Sequence, residues 1–399
     1  MSLITYKQQF DNAYQEIFQK VLVGKMIANT RFEPVLKYGA SVTRISYDIS
    51  AVRVRSVTRG NASTIDPLSD GSDTLTINLE KEAVFHISDG EVTQAGPLNP
   101  GEVIGGKIAI KVAADLDYRI FGEVLNASQT FDNGDLTALA SSGTPITLSS
   151  TTVPQMVTRM PAKLRRFGDQ TITNMAFVVD AYAAADIEQY LLGKQFSIVE
   201  SVFKNGYAGP IATASVYVSE NLRSSATLTL AATPADADTV IINGVTFTFN
   251  TTLTTYGGSV LISGSADAAA ANLTALISDP YTTTTYGVKL TTADADMIHE
   301  ISKLTAVADS GANTIAITGA GRLALGGSRT TTTDTWSANL INCYYGKMGA
   351  IDLVVQDLSE VDMRPTADRR GTNVFSSYLA GLKTFPDGAK KFLRVKIAA

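Results

Sequence analysis

Residues 98–128, LNPGEVIGGKIAIKVAADLDYRIFGEVLNAS, constrain the fold most, because they read as one long helix with a marked beginning. Asn99 is placed to cap it, Pro100 stands at the first helical position where no N–H is needed, and Glu102 at the third completes a capping box. Apolar residues recur at Ile104, Ile108, Val112, Leu116, Ile120 and Val124. A spacing of four on a 3.6-residue turn rotates this stripe by roughly 40° per step, so the helix must touch more than one surface. At about 1.5 Å per residue it is roughly 40 Å long, a spine rather than a core packing unit. A long amphipathic helix of any α+β domain fits the same pattern, so its neighbours have to decide.

Upstream, residues 5–28 place Tyr6, Phe10, Tyr14, Ile17 and Val21 at helical spacing. That apolar face either docks on its own domain or packs on a neighbour. Two long strands follow. Ile45, Tyr47 and Ile49 alternate with polar residues, and the phase slips near Ala51, which implies a bulge. The return strand alternates cleanly, with Leu75, Ile77, Leu79, Ala83, Phe85 and Ile87 on one side. Residues 60–73 between them are turn chemistry. Arms of about 15 residues give a ribbon near 50 Å long, and a lone two-stranded ribbon is barely stable in water. The outgoing arm is basic at Arg44, Arg53, Arg55 and Arg59, and the return arm is acidic at Glu80, Glu82, Asp89 and Glu91. Such rims suit lying across a neighbouring copy, and cross-strand pairing within the hairpin accounts for them equally well.

Beyond the long helix, 128–153 reads as connection. Residues 154–223 alternate helix (155–167), buried strand (174–180), helix (183–192) and strand (214–220), an α/β pattern. Composition changes at 224–333, which holds 24 threonines, with eight Asp/Glu against four Lys/Arg. Its strand-like segments, with a short helix at 267–277, imply an inserted, mostly β domain. Afterwards the α/β character returns, with a helix ending near Gly346, a strand at 350–356 and a closing strand.

Chemistry is sparse. Residues 101–108 approach a phosphate-binding loop, but Ile108 stands where a metal-binding hydroxyl is required and no strand leads in. Gly319-Ala-Gly321 resembles a dinucleotide fingerprint, yet a loop follows it. Only His86 and His299 are present, there is no nucleophile elbow, and Asp236/Asp238 and Asp294/Asp296/His299/Glu300 match no calcium loop. No catalytic residue, cofactor or metal is expected, and turn carboxylates explain the acidic clusters. A formal charge of −5 lacks the basic excess of a nucleic-acid reader. Cys343, alone, excludes an internal disulfide and fits a reducing compartment. The N-terminus lacks a signal-peptide layout, and the charge-free stretch 239–266 reads as strands, so no membrane span is expected.

Terminal arm, charged hairpin, spine helix, α/β domain with a β insertion and closing strand: this order resembles the major capsid protein of tailed bacteriophages, the Hong Kong 97-type fold. TLTINLEKEAVFHISD (74–89) looks like the extended-loop return strand, 98–125 like the spine helix, NGYAGPIATASVYVSENL (205–222) like the axial-domain segment, and 378–397 like the final loop and strand. The expected divisions are an N-terminal arm 1–38, extended loop 39–92, peripheral domain 93–153, axial domain 154–223 and 334–375, insertion 224–333, and a return to the peripheral domain at 376–399.

The resemblance implies an α+β structural protein, not an enzyme. Hexamers and pentamers would tile an icosahedral shell around packaged double-stranded DNA, located in the virion after assembly in the host cytoplasm. Arg44, Arg53, Arg55, Arg59, Glu80, Glu82, Phe10, Tyr14 and Ile17 would meet neighbouring subunits. A separate scaffolding protein is implied by an arm starting at Met1 with no long leader, and portal and decoration proteins are possible partners. The lysine-free stretch 55–73 argues against a covalent lysine–asparagine cross-link there. An encapsulin-type shell enclosing an enzyme is the alternative, and a surface adhesin or tail module leaves the spine and hairpin unexplained.

Overall fold

The computed structural model describes residues 22–33, 40–48, 52–56, 65–66, 69–88, 100–139, 141–168, 173–192, 207–211, 214–309, 311–328, 335–358, 362–365 and 370–399. Helices and strands are mixed in an α+β architecture. Contacts divide the chain into two units, Met1–Ser128 with Lys347–Phe392, and Gln129–Gly346 with Leu393–Ala399.

In the first unit the long helix runs Pro100–Gly122 and tightens into a 3₁₀ turn, Glu123–Asn126. Its expected cap, Asn99, lies outside the described residues. Val112, Leu116, Ile120 and Val124 of the stripe are buried, and so are Ala109, Ala113, Asp117, Tyr118 and Phe121. The drifting stripe therefore covers most of the circumference in the second half of the helix. The 101–108 glycines are helical and form no phosphate loop.

The helix is tied to a five-stranded sheet centred on Thr372–Lys383. Ile351–Leu358 and Asp362–Pro365 pair along one edge of that strand and Leu79–Ile87 along the other, all antiparallel. Buried Tyr378 donates its hydroxyl to Asp115 of the helix, and the Thr384 N–H donates to Glu123 at 2.9 Å. Burial and the Asp115 charge both push the Tyr378 hydroxyl pKa far up, so it stays a donor.

The hairpin differs from the expected ribbon. Ser41–Asp48 pairs with Ser69–Thr76 over eight residues, and then the return strand breaks at 77–78. Its second half, Leu79–Ile87, pairs with Thr372–Lys383 instead. Alternating burial suits either partner, and the larger sheet offers a longer ladder. Residues 69–73, expected as turn, are strand, because the partner strand imposes extended backbone on small polar residues. The phase slip at Ala51 lies outside the described residues.

The second unit is built on a nine-stranded sheet. Met175–Val179, buried at all five positions, runs parallel to Ala214–Val218. Next to it lies Thr335–Lys347, where a helix ending near Gly346 was expected. A mostly apolar run such as LINCYY, broken only by Asn342, does not distinguish a central strand from a helix by periodicity, and here strands flank it on both sides. Helices Thr152–Phe167 and Ala181–Leu192 agree with the expected pattern. The division at 128/129 differs from the expected 153/154. Gln129–Phe131 pairs in parallel with the closing strand Phe392–Ala398, which carries 129–153 and the chain end into this unit.

Window 224–333 has its own apolar cluster, including Phe247, Phe249, Leu273, Ile315 and Ile317. It surrounds helix Ala266–Ser278, capped by Ser265, whose hydroxyl accepts the Ala268 N–H at 3.1 Å. Asn243 and Gly244, at φ of 51° and 83°, form the turn between Thr239–Ile242 and Val245–Asn250, as a two-residue hairpin requires. The window nonetheless shares the large sheet. Arg223–Thr229 pairs with Thr314–Ala320 on one side and Thr335–Lys347 on the other. Gly319, expected in a loop, is in strand Thr314–Ala320, where a Cβ would lie 2.6 Å from Leu304.

Candidate interaction surface

The hairpin root is held from below by apolar packing. Leu75, fully buried, joins Val354 and Phe385, with Phe32, Val42 and Ile77 packed against them. Gly381 allows this approach, since a Cβ there would sit 2.8 Å from the Thr76 carbonyl oxygen.

Charges then fix the root's register. Arg44 reaches Asp387 at 2.6 Å and Asp352 at 3.8 Å, and its guanidinium lies 5.2 Å over the Phe385 ring. Asn29 donates its amide to the same Asp352, which is 3% exposed. Lys383 pairs with Asp73 at 2.8 Å. Burial pushes the Asp352 carboxyl above its ordinary value despite Asn29 and Arg44. Burial also acts upward on Asp387, but Lys391 and Arg44 outweigh it and hold that carboxyl below its ordinary value.

Beyond the ladder, residues 52–56 belong to no helix or strand. The Arg53 N–H donates to Asp66 at 2.8 Å and the Arg55 guanidinium pairs with the same carboxylate. These bonds tie 52–56 to 65–66 and leave apolar side chains outward. Val52 is 51% exposed, Ile65 91%, and Val54 105%. Scattered exposed aliphatics are ordinary, but these three fall on two short segments held together by Asp66, with nothing over them among the described residues.

The expected contact residues fall into three groups. Arg44, Arg53 and Arg55 engage carboxylates of their own chain. Glu80 and Glu82 are exposed on the edge strand Leu79–Ile87, in register with Leu379 and Ser377. Arg59, Phe10, Tyr14 and Ile17 lie outside the described residues. Sequence reasoning missed Asp352 and Asp387 because each is some 300 residues from Arg44, and it missed Asp66, 11 and 13 residues from the arginines it meets, because that residue sits in a stretch read only as turn. Val54 and Ile65 were legible as apolar residues flanking a polar tip.

No group of side chains that could hold a metal occurs among the described residues, and no described helix is long and apolar enough to cross a membrane. The acidic clusters are structural. Asp236 and Asp238 accept backbone N–H groups of Thr251 and Ala235, Asp294 accepts from Thr291, and Asp296 accepts from Tyr281. Cys343 is buried, and burial pushes its thiol pKa well up, so it is no nucleophile.

No protein-family model and no curated protein matches this chain. Solved structures do match. A protein of Mycobacterium phage Che8 aligns with a TM-score of 0.47 and 11% identity over 93% of this chain and 90% of that one. One described as the capsid structure of the cyanophage P-SCSP1u aligns at 0.47 and 10%, covering 94% and 88%. A third, the capsid of a native GTA particle, aligns at 0.43 and 11%, covering 94% and 89%.

Proposed function

We propose that this chain is a major capsid protein of the tailed-phage type, with a Hong Kong 97-type fold. Copies assemble as hexamers and pentamers into an icosahedral shell enclosing packaged double-stranded DNA. The observation that carries this reading is the hairpin. Its root is held by Leu75, Arg44 and Asp73, while Val52, Val54 and Ile65 between its two strands are exposed with no covering side chain among the described residues. A rigid base under an exposed apolar end is suited to reaching over a neighbouring copy.

The order of elements supports the reading too: hairpin, long helix, the threonine-rich window 224–333 as an insertion, then the strand Thr372–Lys383 that completes the sheet beside the helix. The arm 1–38, together with Arg53, Arg55, Glu80 and Glu82, belongs to the proposed contacts between copies. A net charge of −5 suits containing DNA without gripping it. Scaffolding, portal and decoration proteins are the partners this role calls for, with assembly in the host cytoplasm and a final place in the virion.

Electron microscopy of the purified full chain, alone and with a co-expressed scaffolding protein, tests this. Closed icosahedral particles are expected. A chain that stays monomeric at high concentration in both conditions overturns it, and particles that enclose an enzyme instead of DNA favour the encapsulin-type alternative.

A further inference from the structure

Sheet edges invite pairing with other chains, and most of those formed by the described residues are blunted. Among the described residues, the edge strand Leu79–Ile87 carries Glu80-Lys81-Glu82 and Asp362–Pro365 carries a proline. Tyr207–Ile211 has Pro210 and a register shift. Leu325–Ser328 is four residues with two glycines, and Ala28–Asn29, Gln129–Phe131 and Ser259–Leu261 are two or three residues long. In the separate ribbon, Ser41–Asp48 carries Arg44 and Ser69–Thr76 is glycine- and aspartate-bearing.

The strand Thr305–Asp309, TAVAD, is different. It ends the nine-stranded sheet, and its one ladder partner among the described residues is Thr314–Ala320, in continuous register without a bulge, while helix Ala266–Ser278 packs against it through the cluster that buries Ala306. It has no proline, lysine or arginine, and its one charge is at its last residue. Ala306 is buried, while Thr305, Val307 and Asp309 are exposed on the other face, Val307 at 68%.

We propose that this edge pairs with the same strand of a second copy, antiparallel about Val307, so that two large sheets become continuous. The sequence is self-complementary in that register. Val307 faces Val307 of the other copy, and Thr305 faces Asp309 at both ends, on the exposed side. Thr305 already shares a hydrogen bond with Thr318 at 2.6 Å in which either hydroxyl can donate. Thr318 can therefore donate to Thr305 while Thr305 donates to the carboxylate across the junction. The like charges do not oppose this pairing. The two Asp309 residues stand four positions apart along the strands, roughly 14 Å, beyond a Debye length of about 8 Å. A pair of five-residue strands hides far less than the ~1,000 Å² of an independent interface, so the contact is weak singly and adds up where copies are crowded.

The test uses the full chain with Val307→Cys, and Tyr256→Cys as a control exposed to a similar degree (79%) in the same window. Both variants are oxidised mildly in dilute solution, in concentrated solution and in whatever particles form, and linked peptides are identified by mass spectrometry. Amide exchange at 305–309 is followed in the unmodified chain over the same range. Expected are a 307–307 link at least about tenfold more abundant than the control link once copies are crowded, and exchange at 305–309 that slows with concentration. Val307→Lys, which is tolerated at an exposed site, should abolish that slowing. A link no more abundant than the control, or exchange indifferent to concentration, overturns the pairing. Particles that form without the link overturn it while leaving the shell reading intact. If no particles form, the concentrated chain still decides.

Discussion

The Asp117 carboxylate accepts the Gly24 N–H at 2.9 Å and the Val23 N–H at 3.1 Å, from 93 and 94 residues away in sequence. These are the first N–H groups of the short helix Val23–Ile27, which its own preceding residue, Leu22, leaves uncapped. The long helix thus caps the short one through a side chain that is 1% exposed. Asp117→Ala is expected to cost about 2–3 kcal/mol, because it leaves buried donors unpaired, and Asp117→Asn less, because one acceptor remains. Gly24→Ala should also destabilise, by about 1–3 kcal/mol, since its Cβ would come 2.8 Å from both Asp117 and Ile120. Denaturant midpoints measure all three.

The two carboxylates around Arg44 should respond to pH with opposite signs. Asp387 has a lowered pKa when folded, so its contribution is complete above its unfolded pKa and disappears as pH falls through the folded value. Asp352 has a raised pKa, so its carboxylate costs stability above the folded value, and that cost is relieved as pH falls towards the unfolded one. At neutral pH, Asp387→Asn should destabilise by less than about 1 kcal/mol, the pair being partly exposed. Asp352→Asn should be neutral or stabilising by up to about 1 kcal/mol. Thermal melts of both variants from pH 3 to pH 8, a range spanning ordinary carboxylate titration, check the contrast.

Lys163 and Asp135 form a buried pair at 2.7 Å, 4% and 0% exposed, and Lys163 also donates to the Thr130 carbonyl. Asp135 also accepts the Asp132 N–H within a capping box. Lys163→Met should therefore cost about 3–5 kcal/mol by stranding a buried carboxylate, and adding Asp135→Leu should recover part of that loss. A double-mutant cycle by urea unfolding tests this.

Val54→Ser with Ile65→Ser should leave folding within about 0.5 kcal/mol of the parent, since both side chains are exposed. Assembly should fail or shift to higher protein concentration. Light scattering of assembly reactions alongside thermal melts separates the two effects.

The elements that announce themselves locally were legible in the sequence. Pro100 begins the long helix and helices Thr152–Phe167 and Ala181–Leu192 fall where their spacing puts them, because each depends on residues within a few turns of chain. Choices made by distant partners were not. Leu79–Ile87 alternates as well for a long ribbon as for a sheet, and only Thr372–Lys383, nearly 300 residues on, decides. LINCYY is apolar but for Asn342 and shows no alternation, and its strand state comes from the neighbours on either side of it. The candidate surface divides in the same way. Its arginines were visible, while the carboxylates that meet Arg44 come from the other end of the chain.

Strand Arg223–Thr229 lies beside Thr335–Lys347, with Thr229 in register with Thr335. Bringing those two residues together from a random coil closes a loop of about 105 residues, an entropic cost near 4 kcal/mol by simple polymer statistics. If the intervening stretch condenses around its own apolar cluster first, its ends emerge already close and most of that cost has been met. The threonine-rich window then acts as an internal folding template, and lesions in its core should slow the maturation of sheet strands that lie outside it.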